Sequence, residues 1–290
     1  MRYAAPATVD EARALLSDNP GSQVFAGATD LVPQMRSGRP APSVLVDLKR
    51  IERLTAVTHE DGQWTIGAAT PAVDLTRDTA FTAAFPGLSE GAGLIGSDQI
   101  QNRSSLGGNL ANASPAADSV PALIANAGQV VIATAGGTRT VPASEVVTGP
   151  GSTSLTHGEF IVEFTLADPP AGTGDAYLRM IPRTEMDIAI VGAAVRVTVD
   201  GDSISDATVV LGAVAPTAVV VPDAAVALVG ASVAGGSIDD ATLTALAEAA
   251  SAACDPIDDK RGTIAYRRQV AGVLAKRAAV IAVGRAQNGV

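Results

Sequence analysis

Apolar positions recur at two different periods along the first third of the chain. Val9 to Leu16 follows helical spacing, whereas Gln23 to Phe25 and Val44 to Asp47 are short β-type runs, so the opening predicts an α/β unit. Leu54 to Thr58 and Gln63 to Ile66 flank Asp61-Gly62 as a hairpin, and Pro71 to Thr79 begins as a helix with proline in its first turn, so a second α/β unit begins near Leu54. Further along, Gly87 to Ser97 reads as a glycine-rich helix, the stretch around Asn102 as a polar loop, and Ala117 to Ala127 as a helix. Val130 to Thr134 and Arg139 to Val141 form a hairpin about Gly136-Gly137, and Phe160 to Leu166 is a strand.

Asp168 to Asp175 holds two prolines and two glycines and is the best linker. Beyond it the pattern changes to long β-type runs, Ile188 to Val199 and Ser203 to Leu211, joined at Asp200-Gly201 as a meander. Helical sequence closes the chain at Asp239 to Ala253 and Ile264 to Val283, where Val270, Val273, Leu274, Ala278 and Ile281 recur at helical spacing. The expected organisation is therefore α+β: residues 1–53 and 54–175 as two N-terminal α/β subdomains, and 176–290 as a C-terminal antiparallel sheet with helices.

Charge and composition narrow the chemistry. A net charge of −10 without a basic stripe argues against a nucleic-acid partner. The longest apolar stretch, Ala207 to Val221, is broken by Pro216 and closed by Pro222-Asp223, so no membrane span is expected; the start of the chain has no secretory apolar core, so the expected location is cytoplasmic. With Cys254 as the sole cysteine and His59 and His157 as the only histidines, the chain cannot build a four-cysteine iron–sulfur cluster or a usual zinc site from its own side chains. Redox chemistry here would need a bound organic cofactor. His59 and His157 read as solvated loop residues, Cys254 as a half-buried small residue, and the Lys260-Arg261 and Arg267-Arg268 pairs as solvated helix charges open to an acidic partner.

Two loops carry the chemistry. The first, Ala26-Gly27-Ala28-Thr29-Asp30-Leu31, follows a strand directly; its small residues let successive backbone N–H groups approach an anion, and Thr29 adds a hydroxyl. Alone, such a turn is usually only a turn. The second runs from Ile95 to Asn109 and on to Asp118, a density of hydrogen-bonding and small residues that suits a site better than a core, although long surface loops share it. It contains neither G-x-G-x-x-G nor a Walker lysine, so the Rossmann and P-loop templates do not apply.

In these loops the chain resembles the FAD-binding medium subunits of the xanthine dehydrogenase and aerobic carbon monoxide dehydrogenase group, the molybdenum hydroxylases. The family pattern A-G-G-T-D-L falls on Ala26 to Leu31, and I-R-N-x-G-T-x-G-G-N-L falls on Ile100 to Leu110 with its aspartate at Asp118. Tyr177 to Ala189, which includes Glu185, resembles the entry to the family's C-terminal domain, and Arg261 to Arg268 its closing helix. The resemblance spans nearly the whole chain and implies a vanillyl-alcohol-oxidase-type FAD-binding fold. It implies diphosphate contacts from the N–H groups of Gly27, Ala28, Thr29, Asp30, Gly107, Gly108 and Asn109. It also implies that Ala26, Leu31, Ile100 and Ser104 belong to the cofactor loops. Ser105 takes a hydroxyl-donor position, Asp118 a polar cofactor contact, Leu155 a place by the flavin and Arg179 the family's lysine position. No side chain is implied as catalytic, and none as a metal ligand. The implied partners are a large molybdenum-cofactor subunit, a small subunit with two 2Fe–2S clusters, in a dimer of heterotrimers, and an external electron acceptor.

The chain departs from the family pattern at Ala28 for a glycine, Gln101 for an arginine, Ser104-Ser105 for Gly-Thr, and Arg179 for a lysine. Two other readings stay open on residues alone: a self-contained FAD oxidase or reductase of the same fold, and a non-enzymatic scaffold whose flavin binding has weakened.

Overall fold

The computed structural model describes residues 1–184 and 186–289. Its first sheet has three strands, with Val44–Asp47 in the centre and Arg2–Ala4 and Gln23–Phe25 parallel to it on either side. Parallel strands need crossovers; the helix Val9–Asp18 carries the chain from one edge strand to the other, capped at Thr8, whose hydroxyl accepts the Glu11 N–H. The expected strands Gln23 to Phe25 and Val44 to Asp47 appear with those bounds. Ala12 and Leu16 pack on Val44 and Val46, and Phe160 and Val162 of the next sheet close the same core.

The second sheet has five strands in the order Val57–Glu60, Gln63–Gly67, Phe160–Ala167, Gln129–Thr134, Gly137–Pro142, antiparallel at every pairing. Both expected hairpins are present, one at each edge, and the late strand Phe160–Ala167 enters between them. Five short helices between residues 72 and 111 and the helix Ser119–Ala125 lie over this sheet, burying Phe81, Phe85, Leu88, Leu106, Leu110 and Leu123 against Ile66, Val130, Ile132 and Phe164. Burying side chains of this size contributes about 1.5–3 kcal/mol each.

Several local expectations change. The helix expected over Pro71 to Thr79 stops at Arg77, because the Asp78 carboxylate accepts the N–H groups of Ala80 and Phe81 and starts a new helix, Thr79–Ala84. The polar loop around Asn102 is two short helices, Asp98–Gln101 and Leu106–Ala111. Thr173 to Asp175, expected as linker, already belong to the first strand of the next sheet.

That sheet is an antiparallel meander of Thr173–Met180, Val191–Asp200, Ser203–Gly212 and Val219–Val220, backed by the helices Asp240–Ala252 and Ile264–Asn288. The long helix approaches largely through Ala271, Ala275, Ala278, Ala279 and Ala282, with Leu274 and Val283 buried beside them; Val273 and Ile281, expected on the apolar face, are partly exposed. Small side chains allow the closer approach. Among the described residues no helix is long and apolar enough to cross a membrane.

Asp175 joins the sheets. Buried to 4 % exposure, its two carboxylate oxygens accept the Gly87 N–H at 3.0 Å and Asn126 Nδ2 at 2.7 Å, while Arg285 Nη1 donates to its backbone carbonyl at 2.7 Å. Asp175→Ala leaves the Gly87 N–H without an acceptor and Asn126 Nδ2 with Ala122 O alone, and should cost about 2 kcal/mol in urea unfolding. A loss under a few tenths would show that the clamp does not hold the sheets together.

Candidate functional site

The chain from strand Gln23–Phe25 through Leu31 forms one wall of a cleft of about 230 Å³; Ser104, Ser105, Gly108, Asn109, Ala111 and Asn112 form the other. The walls touch backbone to backbone. A Cβ on Gly27 would fall 1.7 Å from the Arg103 carbonyl oxygen, so only glycine lets the first loop lie on the second. A Cβ on Gly107 would fall 2.4 Å from the Ala68 carbonyl oxygen, which fixes the second loop against the end of strand Gln63–Gly67. Across the cleft, Gln34 Nε2 donates to Asn112 Oδ1 at 3.1 Å.

The two walls differ in what they can still bind. Among the described residues no protein acceptor takes the N–H groups of Gly27, Ala28, Thr29, Asp30 or Leu31. The amides expected from the second loop are already engaged: Gly107 N–H donates to Ala68 O at 3.1 Å, Gly108 N–H to Ser105 Oγ at 3.1 Å and Asn109 N–H to Ser105 O at 2.9 Å. Ser105 caps its own helix, which corrects the expectation that these three N–H groups face a ligand; the Ser105 hydroxyl proton remains free to donate. The Ser104 hydroxyl, buried in this wall, has no partner among the described residues. Five amides without a protein acceptor along one wall match an anionic, oxygen-rich ligand. The volume suits the middle of a dinucleotide, since whole drug-sized ligands occupy about 300–1,000 Å³. Burial pushes the Asp30 carboxyl up from its usual range.

Ala28 adopts φ +58°, the left-handed conformation that a glycine takes without strain. Gln101 does not stand in for an arginine facing the cleft; it is buried, and its Nε2 donates to Gly93 O at 2.6 Å.

Besides Gly107, four expected residues lie outside the cleft lining. Ile100 packs over Gly96, and half-buried Leu155 rests on the core of the second sheet. Asp118 and Arg179 sit behind the wall: Arg179 Nη1 donates to Asp118 Oδ2 at 2.6 Å and to Leu94 O at 2.8 Å, beside Ile95 of the lining, and the Tyr177 hydroxyl donates to Asp118 Oδ1 at 2.9 Å. Burial lifts the Asp118 carboxyl to about 6, against the pull of Arg179 and the Tyr177 hydroxyl. The pair is buried and braces the wall at Leu94.

Gln23, Gln34, Arg39, Asn112 and Gly151 line the cleft without having been expected there. Gln34 and Arg39 follow the first loop within a short helix and its exit, a spacing the sequence displays. Gly151 arrives only through the fold, its N–H donating to Ala113 O.

Away from the cleft, His59 lies in a strand, stacked on Trp64 at 4.4 Å with Nε2 2.9 Å from Asp168, not in a solvated loop. Arg267, expected as a solvated charge, is 3 % exposed and donates to Ile190 O and Asp259. Cys254 is buried, its thiol pushed up to about 11. The Tyr177 and Arg261 segments meet through Asp187, paired with Arg183 at 3.1 Å and Arg261 at 3.5 Å; Glu185 lies outside the described residues.

Comparison with known proteins decides the family. Residues 1–168 match the model of the FAD binding domain in molybdopterin dehydrogenase, and residues 176–281 that of the CO dehydrogenase flavoprotein C-terminal domain. The chain belongs to the FAD-binding medium-subunit family of the molybdenum hydroxylases. It is 34 % identical over 277 residues to the carbon monoxide dehydrogenase medium chain of Hydrogenophaga pseudoflava, covering 95 % of this chain and 94 % of that one. It is 34 % identical over 218 residues to the xanthine dehydrogenase FAD-binding subunit of Escherichia coli O157:H7, covering 74 % of each. Its fold matches a solved carbon monoxide dehydrogenase from Hydrogenophaga pseudoflava with TM-score 0.92 at 35 % identity over 98 % of each chain. It also matches quinoline 2-oxidoreductase from Pseudomonas putida 86, with TM-score 0.91 at 27 % identity over 100 % of this chain and 98 % of that one. This is an oxidoreductase family, and the α+β expectation holds.

Two outcomes test the geometry of this family site. Ala28→Gly removes the left-handed strain and should raise stability by about 1 kcal/mol in urea unfolding; unchanged or lower stability would refute the strain. Asp118 has a folded pKa above its unfolded value of 3.8, so its stabilising share is full below 3.8 and is lost as pH rises through about 6. The melting temperature of the native chain relative to Asp118→Asn should therefore fall from about pH 4 to about pH 6.5; a rise would show that Arg179 dominates instead.

Proposed function

We propose that this chain holds FAD across the cleft and serves as the electron-transfer subunit of a cytoplasmic molybdenum hydroxylase, receiving electrons from partner iron–sulfur clusters and passing them to an external acceptor. The observation that carries the reading is the row of amides from Gly27 to Leu31 that have no acceptor among the described residues, in a cleft that exists only because residue 27 has no side chain. Ala26 to Leu31 supply backbone donors for the diphosphate, Ser104 and Ser105 supply hydroxyl donors, and Asn109 keeps the second wall in place by accepting the Ser119 hydroxyl at 2.7 Å. Asp118 and Arg179 hold that wall from behind. FAD, when bound, supplies the redox chemistry; the protein positions it and sets its electrostatic surroundings. No side chain is required as a general acid or base.

In this reading residues 1–53 and 54–175 are the two FAD-binding subdomains and 176–290 the C-terminal domain. The partners are a large molybdenum-cofactor subunit and a small two-cluster iron–sulfur subunit, arranged as a dimer of heterotrimers. Substrate oxidation belongs to the large subunit, which accounts for the absence of an implied catalytic side chain here.

The test is the visible spectrum of the chain purified alone and with its natural partners. Flavin absorption is expected in the complex, and Gly27→Ala should abolish it while circular dichroism still reports a folded chain. Absence of flavin from both wild-type preparations would overturn the reading in favour of a scaffold. Substrate turnover by the lone flavin-loaded chain would overturn the partner-dependent part.

A further inference from the structure

Lys49 stands outside the cleft lining, in the short turn Leu48–Arg50 after the central strand of the first sheet. Its Nζ lies 2.7 Å from the Ala26 carbonyl oxygen, 2.6 Å from Asp47 Oδ1 and 4.4 Å from the centroid of the Phe25 ring. Asp47 is itself held, its other oxygen accepting the Tyr3 hydroxyl at 2.8 Å. The ammonium is thus fixed on three sides, and one of its three protons is spent on the carbonyl at which the strand becomes the first loop.

A trans peptide carries its carbonyl and the following N–H on opposite sides. A carbonyl of Ala26 turned towards Lys49 leaves the Gly27 N–H pointing the other way, to the side that Ala26, Gly27 and Ala28 line. A cation on the carbonyl oxygen also polarises the amide and strengthens the N–H at its far end as a donor. We infer that Lys49 is a positioning residue for the cofactor diphosphate: it orients and polarises the Ala26–Gly27 peptide, so that the Gly27 N–H is the first donor of the row. The inference rests on the FAD reading above and assigns Lys49 no contact with the cofactor.

The experiment compares the full chain with Lys49→Met, Lys49→Gln and Lys49→Arg. Three quantities are measured: FAD affinity from flavin fluorescence, stability of the cofactor-free chain in urea, and the phosphorus NMR signals of bound FAD. Lys49→Met and Lys49→Gln should weaken FAD binding about tenfold and shift at least one diphosphate signal, because a charge-assisted bond to the carbonyl is lost. Lys49→Arg, whose guanidinium can serve Ala26 and Asp47 together, should stay within about threefold of wild type. Should Lys49→Met fail to fold, the shorter Lys49→Gln carries the same expectation. Wild-type affinity and unmoved phosphorus signals in the neutral variants would overturn the role of Lys49. So would an affinity loss that follows cofactor-free stability with the phosphorus signals unmoved, since that marks a structural role alone. Failure of the wild-type chain to bind FAD in any preparation would instead overturn the functional reading.

Discussion

The first loop lies on the backbone of the second, and no atom fits between them: a Cβ at residue 27 would sit 1.7 Å from the carbonyl oxygen of Arg103. This approach makes one cleft out of two loops about 75 residues apart in sequence, counting from Gly27 to Arg103. The second loop is fixed in turn because Gly107 lies on the Ala68 carbonyl and donates its N–H there. Backbone-to-backbone contacts of this kind leave no rotamer to adjust, so the walls of the site inherit the rigidity of the sheets behind them. Their sensitivity to a single methyl group follows from the same fact.

Given that contact, the loops divide the work unequally. Ser105 uses its side chain and carbonyl to satisfy the N–H groups of Gly108 and Asn109, so these two amides of the second wall are already engaged. The first wall keeps its amides open, and to do so it turns sharply through Ala28 at φ +58°. A non-glycine residue in this conformation costs roughly 1–2 kcal/mol, a cost tolerated where the surrounding structure leaves the chain no other path. Lys49 on one side and Arg103 on the other supply that restriction.

Much of this was legible before any coordinates. The strands Gln23–Phe25 and Val44–Asp47, the two hairpins and the two loops all depend on local signals, namely period, turn residues and small-residue density. What escaped depends on contacts distant in sequence. The second sheet is antiparallel because Phe160–Ala167 returns to lie between hairpins formed much earlier. Nothing near Arg267 in sequence announces that Ile190 O and Asp259 bury its guanidinium, and nothing near His59 announces Asp168. Among the site residues, Ala26 to Leu31, Ser104, Ser105, Gly108 and Asn109 converge on the cleft, whereas Asp118 and Arg179 satisfy each other behind it. Sequence similarity finds a position; whether its side chain faces a ligand or a neighbour is decided by packing.

The departures from the family pattern then have a common electrostatic sense. Gln101 replaces an arginine and turns inward to Gly93, and the guanidinium of Arg179 is committed to Asp118 and Leu94. Among the described residues lining the cleft, the only cation is Arg39, at its exposed end and bonded to Gln34. An anion in this cleft is therefore met by peptide dipoles and hydroxyls rather than by formal charge. Dipoles act over a short range and only when aimed, so a site built on them depends on the orientation of each peptide. That dependence explains why strain at Ala28, the bare Cα of Gly27 and the anchored carbonyl of Ala26 occur at three successive positions: each fixes the direction of an amide in a wall that offers an anion no side-chain charge of its own.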